Sequence, residues 1–310
     1  MSDQSHTIPA TLGKQSRTWW RTAPALLRIH QWSKNLLILV PLVTSHRYGR
    51  PGLILQALVG MVAFSVVASA LYIFNDVLDR SSDRLHRSKC MRPLAAGTVP
   101  VGMALAIAAG LLLAGFTIAL RLPSVFAWIT LAYAATSIAY SLFLKSKVVA
   151  DVLVLAALYS LRIIAGGAAV GVELSAWLIA FSMFIFLSLA FLKRYSEFGW
   201  VETADTGAGA LPGRGYVAPD RLIIALFGAG SGLIAVLVLA LYINSSAVVE
   251  LYSKPQLLWL TCPVLLYWIV RAWLLAGRRT LHEDPLIFAL KDPASYAAGL
   301  ATLAIGALAI

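Results

Sequence analysis

Tyr72-Ile73-Phe74-Asn75-Asp76-Val77-Leu78-Asp79-Arg80-Ser81-Ser82-Asp83-Arg84 ends a long apolar run and carries three carboxylates at relative positions 0, 3 and 7. At about 100° per residue, Asp76, Asp79 and Asp83 fall within roughly 60° of one another on a helix, with Asn75 beside them. Like charges one turn apart oppose helix formation, so the stretch predicts a compensating cation. Mg²⁺ suits it, because that ion takes carboxylate oxygens and completes its shell with substrate phosphates and water. A solvated helix end whose acids pair with Arg80, Arg84 and Arg87 is the plainer alternative.

Outward from this stretch the chain is apolar. Of 310 residues, 60% are hydrophobic and 13% charged, and the mean hydropathy is +0.80. Soluble domains are less apolar and about twice as charged, so a polytopic all-α membrane protein is expected. The entry Arg28-Ile29-His30-Gln31-Trp32-Ser33-Lys34-Asn35 with Leu36–Ser45 predicts a first membrane helix. Further runs at 53–75, 101–120, 124–143, 148–170, 175–192, 222–243, 256–276 and 293–310 bring the expectation to nine spans. Residues 1–27 read as a basic cytoplasmic tail without signal-peptide features, and 28–310 as one integral-membrane catalytic domain.

The net charge of +11 is informative through its distribution rather than as a sign of nucleic acid, which is not an expected partner. With the N-terminus inside, most Lys and Arg fall on the cytoplasmic side, as do all acids except Glu173 and Glu250. The expected site lies at the cytoplasmic face of the membrane. Cys90 and Cys262 have no metal-ligand spacing around them.

Basic residues follow the acids, and guanidinium and ammonium groups are phosphate ligands. Candidates are Lys34 at the first helix entry, Arg84, Lys89 and Arg92 after the aspartates, Lys145 and Lys147 in the next cytoplasmic loop, and Lys193 and Arg194 in the third. Anchoring to anionic headgroups also accounts for such charges. Asp151 and Arg162 share one stripe of an apolar run, and Tyr140 and Tyr159 could line the same cavity. Gly207, Gly209, Pro212, Gly213 and Gly215 suit either a mobile lid or an ordinary connector. The small residues around Gly166-Gly167 and Gly228/Gly230/Gly232 read as helix packing.

The pattern of Asn75, Asp76, Asp79 and Asp83, with Arg92-Pro93 and Gly97, resembles the first signature of the UbiA superfamily of intramembrane prenyltransferases. That resemblance implies an all-helical fold of nine helices, Mg²⁺-held diphosphate at the cytoplasmic mouth of a cavity, and Asp76, Asp79 and Asp83 as metal ligands assisted by Asn75. The second aspartate motif of the aromatic prenyltransferases is missing; Phe191-Leu192-Lys193-Arg194-Tyr195-Ser196-Glu197 stands in its place, and Glu202 and Asp205 do not restore the spacing. Together with Gln31-Trp32-x-Lys34-Asn35, Leu161–Gly167 and Glu283-Asp284-Pro285…Lys291-Asp292, this string resembles the decaprenyl-phosphate phosphoribosyltransferase branch.

That branch implies transfer of 5-phosphoribose from phosphoribosyl diphosphate (PRPP) to a polyprenyl phosphate, releasing pyrophosphate, on the way to a cell-wall arabinan precursor. Lys34, Arg84, Lys89, Arg92, Tyr140, Lys147, Arg162, Lys193 and Arg194 are then the substrate-binding candidates. An aromatic or quinone-precursor prenyltransferase using an isoprenyl diphosphate is the alternative within the superfamily. A lipid or metabolite transporter is the alternative outside it. Homo-oligomerisation is left open.

Overall fold

A backbone in hydrocarbon must satisfy its own N–H and C=O groups, and the apolar runs accordingly fold as helices. The computed structural model describes residues 19–85, 89–203, 211, 213–281 and 284–310. In chain order the α-helices are α1 (Trp19–Leu26), α2 (Val40–Thr44), α3 (Pro51–Leu78), α4 (Arg80–Leu85), α5 (Val101–Ala119), α6 (Ser124–Ala139), α7 (Ala150–Val170), α8 (Ala176–Thr203), α9 (Asp220–Ile243), α10 (Ser246–Leu251), α11 (Thr261–Gly277), α12 (Pro285–Ala289) and α13 (Pro293–Ala309). Prolines set many of the starts: Pro51, Pro285 and Pro293 open their helices, and Pro100 and Pro123 cap α5 and α6. A proline lacks the N–H that a first turn leaves unpaired anyway.

Among the described residues, seven helical segments are long and apolar enough to cross a membrane. They match the predicted runs from 53–75 to 256–276 closely. The last run folds as the shorter α13, of 17 residues. The expected first helix differs most: Ile29–Leu39 winds as a 3₁₀ helix and passes into the short α2 at Val40.

The tighter winding has a physical reason. With three residues per turn, side chains at i and i+3 eclipse, so Trp32, Asn35 and Ile38 form one row. Trp32 donates to Ser69 Oγ at 2.9 Å and Asn35 to Ser65 Oγ at 2.8 Å, two residues one turn apart on α3. Ile38 is fully buried against α7, where a Cβ on Gly166 would lie 2.2 Å from the Ile38 carbonyl oxygen. An α-helical winding would spread these three side chains over about 60° on either side of the row.

α7 lies at the centre, packed on the 3₁₀ segment, α2, α3, α6 and α8. Its neighbours build two cores, one around Phe64, Phe126 and Tyr133, the other around Phe186, Leu192 and Ile269. Gly228 and Gly232 on α9 admit Trp273 and Ile269 at close range, as small residues do in membrane bundles. Gly230, by contrast, faces open space.

Candidate active site

The carboxylate stretch is not one unbroken helix. α3 ends at Leu78, Asp79 caps it, and α4 restarts at Arg80, with the Asp83 N–H still bonded to the Asp79 carbonyl at 2.8 Å. Asp76 and Asp83 are buried, while Asp79 keeps about a quarter of its side chain exposed. Each acid has a cationic partner. Arg28 donates to both Asp76 oxygens, Arg92 Nη1 bridges Asp83 at 2.6 Å and Asp76 at 3.2 Å, and Lys145 donates to Asp79. Asn75 donates to the other Asp79 oxygen at 2.9 Å.

These donors are oxygen-only, as a hard cation requires. Among the described residues, however, no three His, Cys, Asp or Glu side chains converge closely enough to hold an ion by themselves. The three carboxylates of the predicted face therefore do not close on an ion by themselves. The set fits an ion that takes one or two carboxylates and fills its shell with phosphate oxygens and water, the usual habit of Mg²⁺.

Lys145 reaches Asp79 because the end of the α6 segment widens. Tyr140–Leu144 forms a π-turn, with the Lys145 N–H bonded to the Tyr140 carbonyl at 3.0 Å. Such one-turn insertions often mark functional sites. Lys147, one of the predicted phosphate ligands, is exposed instead, and Lys145 occupies the inward position.

A second cluster forms around Tyr140 and Asp151. Arg194 and Asp151 are both fully buried and joined through two hydrogen bonds, one of 3.0 Å. Arg194 also binds Glu197 and the Tyr140 hydroxyl, and Arg214 Nη1 adds contacts to Tyr140 at 2.9 Å and Asp151 at 3.4 Å. Arg194 and Tyr140, predicted as substrate ligands, are thus occupied with protein groups. A fully buried guanidinium must be paired to exist at all, and this one is.

Arg162 is likewise internal. It donates to Asn35 Oδ1, Tyr133 OH and the Leu158 carbonyl, and lies 5.0 Å from the Tyr133 ring and 5.3 Å from the Tyr159 ring. It pins the 3₁₀ segment to α6 and α7 and shares the Tyr159 ring with Lys34.

Lys34 and Lys193 converge on a residue that was not among the predicted ligands. Asp284 Oδ2 lies 2.8 Å from Lys34 Nζ and 3.2 Å from Lys193 Nζ, and the Tyr159 hydroxyl is 3.4 Å from both carboxylate oxygens. Burial alone would raise the Asp284 pKa, but the two ammonium groups outweigh it and hold the acid well below the usual carboxylate range. Asp284 also caps α12, accepting from the Leu286 N–H at 3.2 Å. The Asp-Pro pair at 284–285 is a helix-start signature, a signal that could have placed the turn but not its two lysines.

In the last turn of α4, exposed Arg84 donates to the Ala95 carbonyl, and beyond the helix half-buried Lys89 has its pKa lowered by burial and by the charge of Arg92. Arg28 joins the site unpredicted. Glu283 and the segment from Asp205 to Pro212, apart from Leu211, lie outside the described residues, as do Arg87 and the Glu202 side chain.

A family model described as the UbiA prenyltransferase family matches residues 36–291. The chain is 36% identical over 274 residues to the uncharacterized protein y4nM of Sinorhizobium fredii, covering 88% of this chain and 53% of that protein, so it spans about half that relative's length. It is 36% identical to the nodulation protein NoeC of Azorhizobium caulinodans, with 86% of each covered. Over 186 residues it is 36% identical to the decaprenyl-phosphate phosphoribosyltransferase of Mycolicibacterium smegmatis, covering 59% of this chain and 58% of that one. A UbiA homolog from Archaeoglobus fulgidus, solved bound to GPP and Mg²⁺, has the same fold with a TM-score of 0.69, 17% identity, and 92% and 99% of the two chains covered.

Proposed function

Because this chain belongs to the UbiA prenyltransferase family, we propose that it is an integral-membrane, Mg²⁺-dependent transferase in which an isoprenoid lipid takes part and a diphosphate departs. The finer reading is transfer of 5-phosphoribose from PRPP to a polyprenyl phosphate, toward a cell-wall arabinan precursor. The observation that carries it is the division of charge. Among the described residues, one cluster holds three acids matched by three cations, and a separate pair of lysines, Lys34 and Lys193, shares the single carboxylate of Asp284. A donor with a diphosphate at one end and a phosphate monoester at the other suits two such sites, and the phosphoribosyltransferase relatives support it.

An oxygen of the polyprenyl phosphate bonds to C1 of the ribose as the C1–O bond to diphosphate breaks and pyrophosphate leaves. The lipid phosphate is already an anionic nucleophile, so no strong general base is needed. Asp76, Asp79 and Asp83, with Asn75 in support, would supply the one or two carboxylates that hold Mg²⁺, and the ion would neutralise charge developing on the leaving diphosphate. Arg28, Arg92 and Lys145 neutralise the acids and are placed to turn to diphosphate oxygens once the acids are taken. Lys34 and Lys193 hold a phosphate; Arg84, Lys89 and exposed Lys147 attract the anionic substrates to the mouth. Arg162, Arg194 and Tyr140 fix the helices that carry these groups.

A second reading, an isoprenyl diphosphate donor with an aromatic acceptor, is favoured by the family's description and by the GPP bound in the archaeal structure of the same fold. Radiolabelled PRPP with a panel of polyprenyl phosphates, run beside labelled isoprenyl diphosphates with aromatic acceptors, separates the two. Lipid-linked phosphoribose supports the first; prenylated aromatic product with PRPP untouched overturns it.

The same proposal counts nine spans, adding the 3₁₀ entry with α2 and the short α13 to the seven long segments. It treats residues 28–310 as one catalytic domain after a cytoplasmic tail, in a bacterial inner membrane with the site facing the cytoplasm. The positive-inside distribution supports that orientation.

A further inference from the structure

The α8 stretch Phe191–Glu197 lacks a second aspartate motif, yet the fold brings a carboxylate there from 91 positions beyond Lys193, where Asp284 meets Lys193 at 3.2 Å. A carboxylate offers about four acceptor positions. On Asp284, Oδ2 receives both ammonium groups and Oδ1 receives the Leu286 N–H at 3.2 Å. What remains on Oδ1 faces the Tyr159 hydroxyl at 3.4 Å, too long for a strong bond. The group borders open space, since Lys193 keeps 30% and Asp284 10% of the side chain exposed.

Among the described residues, Lys34, Lys193 and Arg162 carry three positive charges around this one acid, and Arg162 is bonded to neutral acceptors. The place therefore calls for an anion, beside an acceptor with capacity for one more hydroxyl. A sugar phosphate supplies both groups. An isoprenyl chain supplies neither, and would leave buried polar groups unmatched, which is how a site built for a hydroxyl rejects an analogue lacking it.

We infer that Asp284 selects the sugar of the donor: Oδ1 accepts a hydrogen bond from a ribose ring hydroxyl while Lys34 and Lys193 hold the 5-phosphate. This rests on the phosphoribosyl reading above. Asp284 is then a specificity-determining residue that touches the substrate.

The test compares affinities, since removing a ring hydroxyl also alters the reactivity of C1. Full-length protein in nanodiscs with Mg²⁺ is titrated calorimetrically with PRPP and with its 2-deoxy and 3-deoxy analogues, for wild type, Asp284→Ala and Asp284→Asn. One deoxy analogue should bind wild type about 10- to 100-fold more weakly than PRPP, the range of a hydrogen bond to a charged group. That preference should vanish in Asp284→Ala and shrink by at least about threefold in Asp284→Asn, which keeps a neutral acceptor. If Asp284 only caps α12 and holds the lysines, all three ligands weaken by the same factor and the preference survives in both variants; that overturns the inference. Wild type that binds both deoxy analogues as tightly as PRPP overturns it too. Wild type that ignores PRPP and binds geranyl diphosphate overturns the phosphoribosyl reading itself, a separate and recognisable outcome.

Discussion

Lys34 and Asp284 stand 250 positions apart in the chain, and Nζ of one lies 2.8 Å from Oδ2 of the other. The contact joins the 3₁₀ entry segment to the turn before α12, and Lys193 of α8 closes it from a third side. Replacing Lys34 by Met should raise the KM for PRPP by about tenfold or more, with a smaller change in kcat, because a ground-state phosphate contact is lost. Steady-state kinetics in proteoliposomes measures it, and an unchanged KM would remove Lys34 from the phosphate site.

Asp76→Ala should lower transfer by at least about 100-fold, the scale expected when a group stabilising leaving-group charge is removed. Asp79→Asn leaves a neutral oxygen donor in place, so its defect should be partly recovered at high Mg²⁺. A Mg²⁺ titration of initial rates distinguishes the two. Loss of activity in Asp79→Asn that no Mg²⁺ concentration relieves would count against metal binding there.

The fully buried Arg194–Asp151 pair should behave as structure rather than as a ligand site. Asp151→Ala leaves the buried Arg194 guanidinium with only the partly exposed Glu197 and the Tyr140 hydroxyl and should cost about 3 kcal/mol. The double variant Asp151→Ala/Arg194→Met should recover much of that, since it removes the under-compensated buried charge. Thermal unfolding in detergent reads both, and a double variant no more stable than the single one contradicts the assignment.

Two glycines should respond in opposite ways to the same change. Gly166→Ala puts a methyl 2.2 Å from the Ile38 carbonyl oxygen, a backbone atom that cannot swing aside. It should unseat the 3₁₀ segment and lower the melting temperature. Gly230→Ala meets nothing within 4 Å and should be neutral or stabilise by up to about 1 kcal/mol through lower unfolded-state freedom.

Asp284 gives a pH signature. Its folded pKa is depressed, so the unfolded chain binds the proton first as pH falls. The stabilisation is complete above the unfolded value of about 3.9 and is lost progressively below it. The melting temperature of wild type minus that of Asp284→Asn should therefore be flat from neutral pH to about pH 5 and shrink below about pH 4.

The acid stretch and most of the bundle are legible in the sequence because they depend on short-range pattern. Hydropathy marks each span from its own residues, prolines mark the starts, and the 0, 3, 7 spacing marks the acid stripe. Lys34, Lys193, Asp76 and Asp83 are recognisable as polar groups beside apolar runs. The 3₁₀ winding of Ile29–Leu39 is not, since it follows from the seats that Ser65, Ser69 and Gly166 offer on other helices.

Side-chain partnership is likewise a property of the assembled bundle. From sequence Arg194 and Lys193 are equivalent basic neighbours. A helix turns about 100° between them, so once α8 is seated, Arg194 points to Asp151 and is enclosed while Lys193 points to Asp284 and stays partly open. The sequence by itself determined the helices, their membrane setting and the acid-and-base character of one end. Tertiary structure alone decided which charge neutralises which, because ion pairing depends on distances of 3–4 Å between residues up to 250 positions apart, and only helix packing sets those.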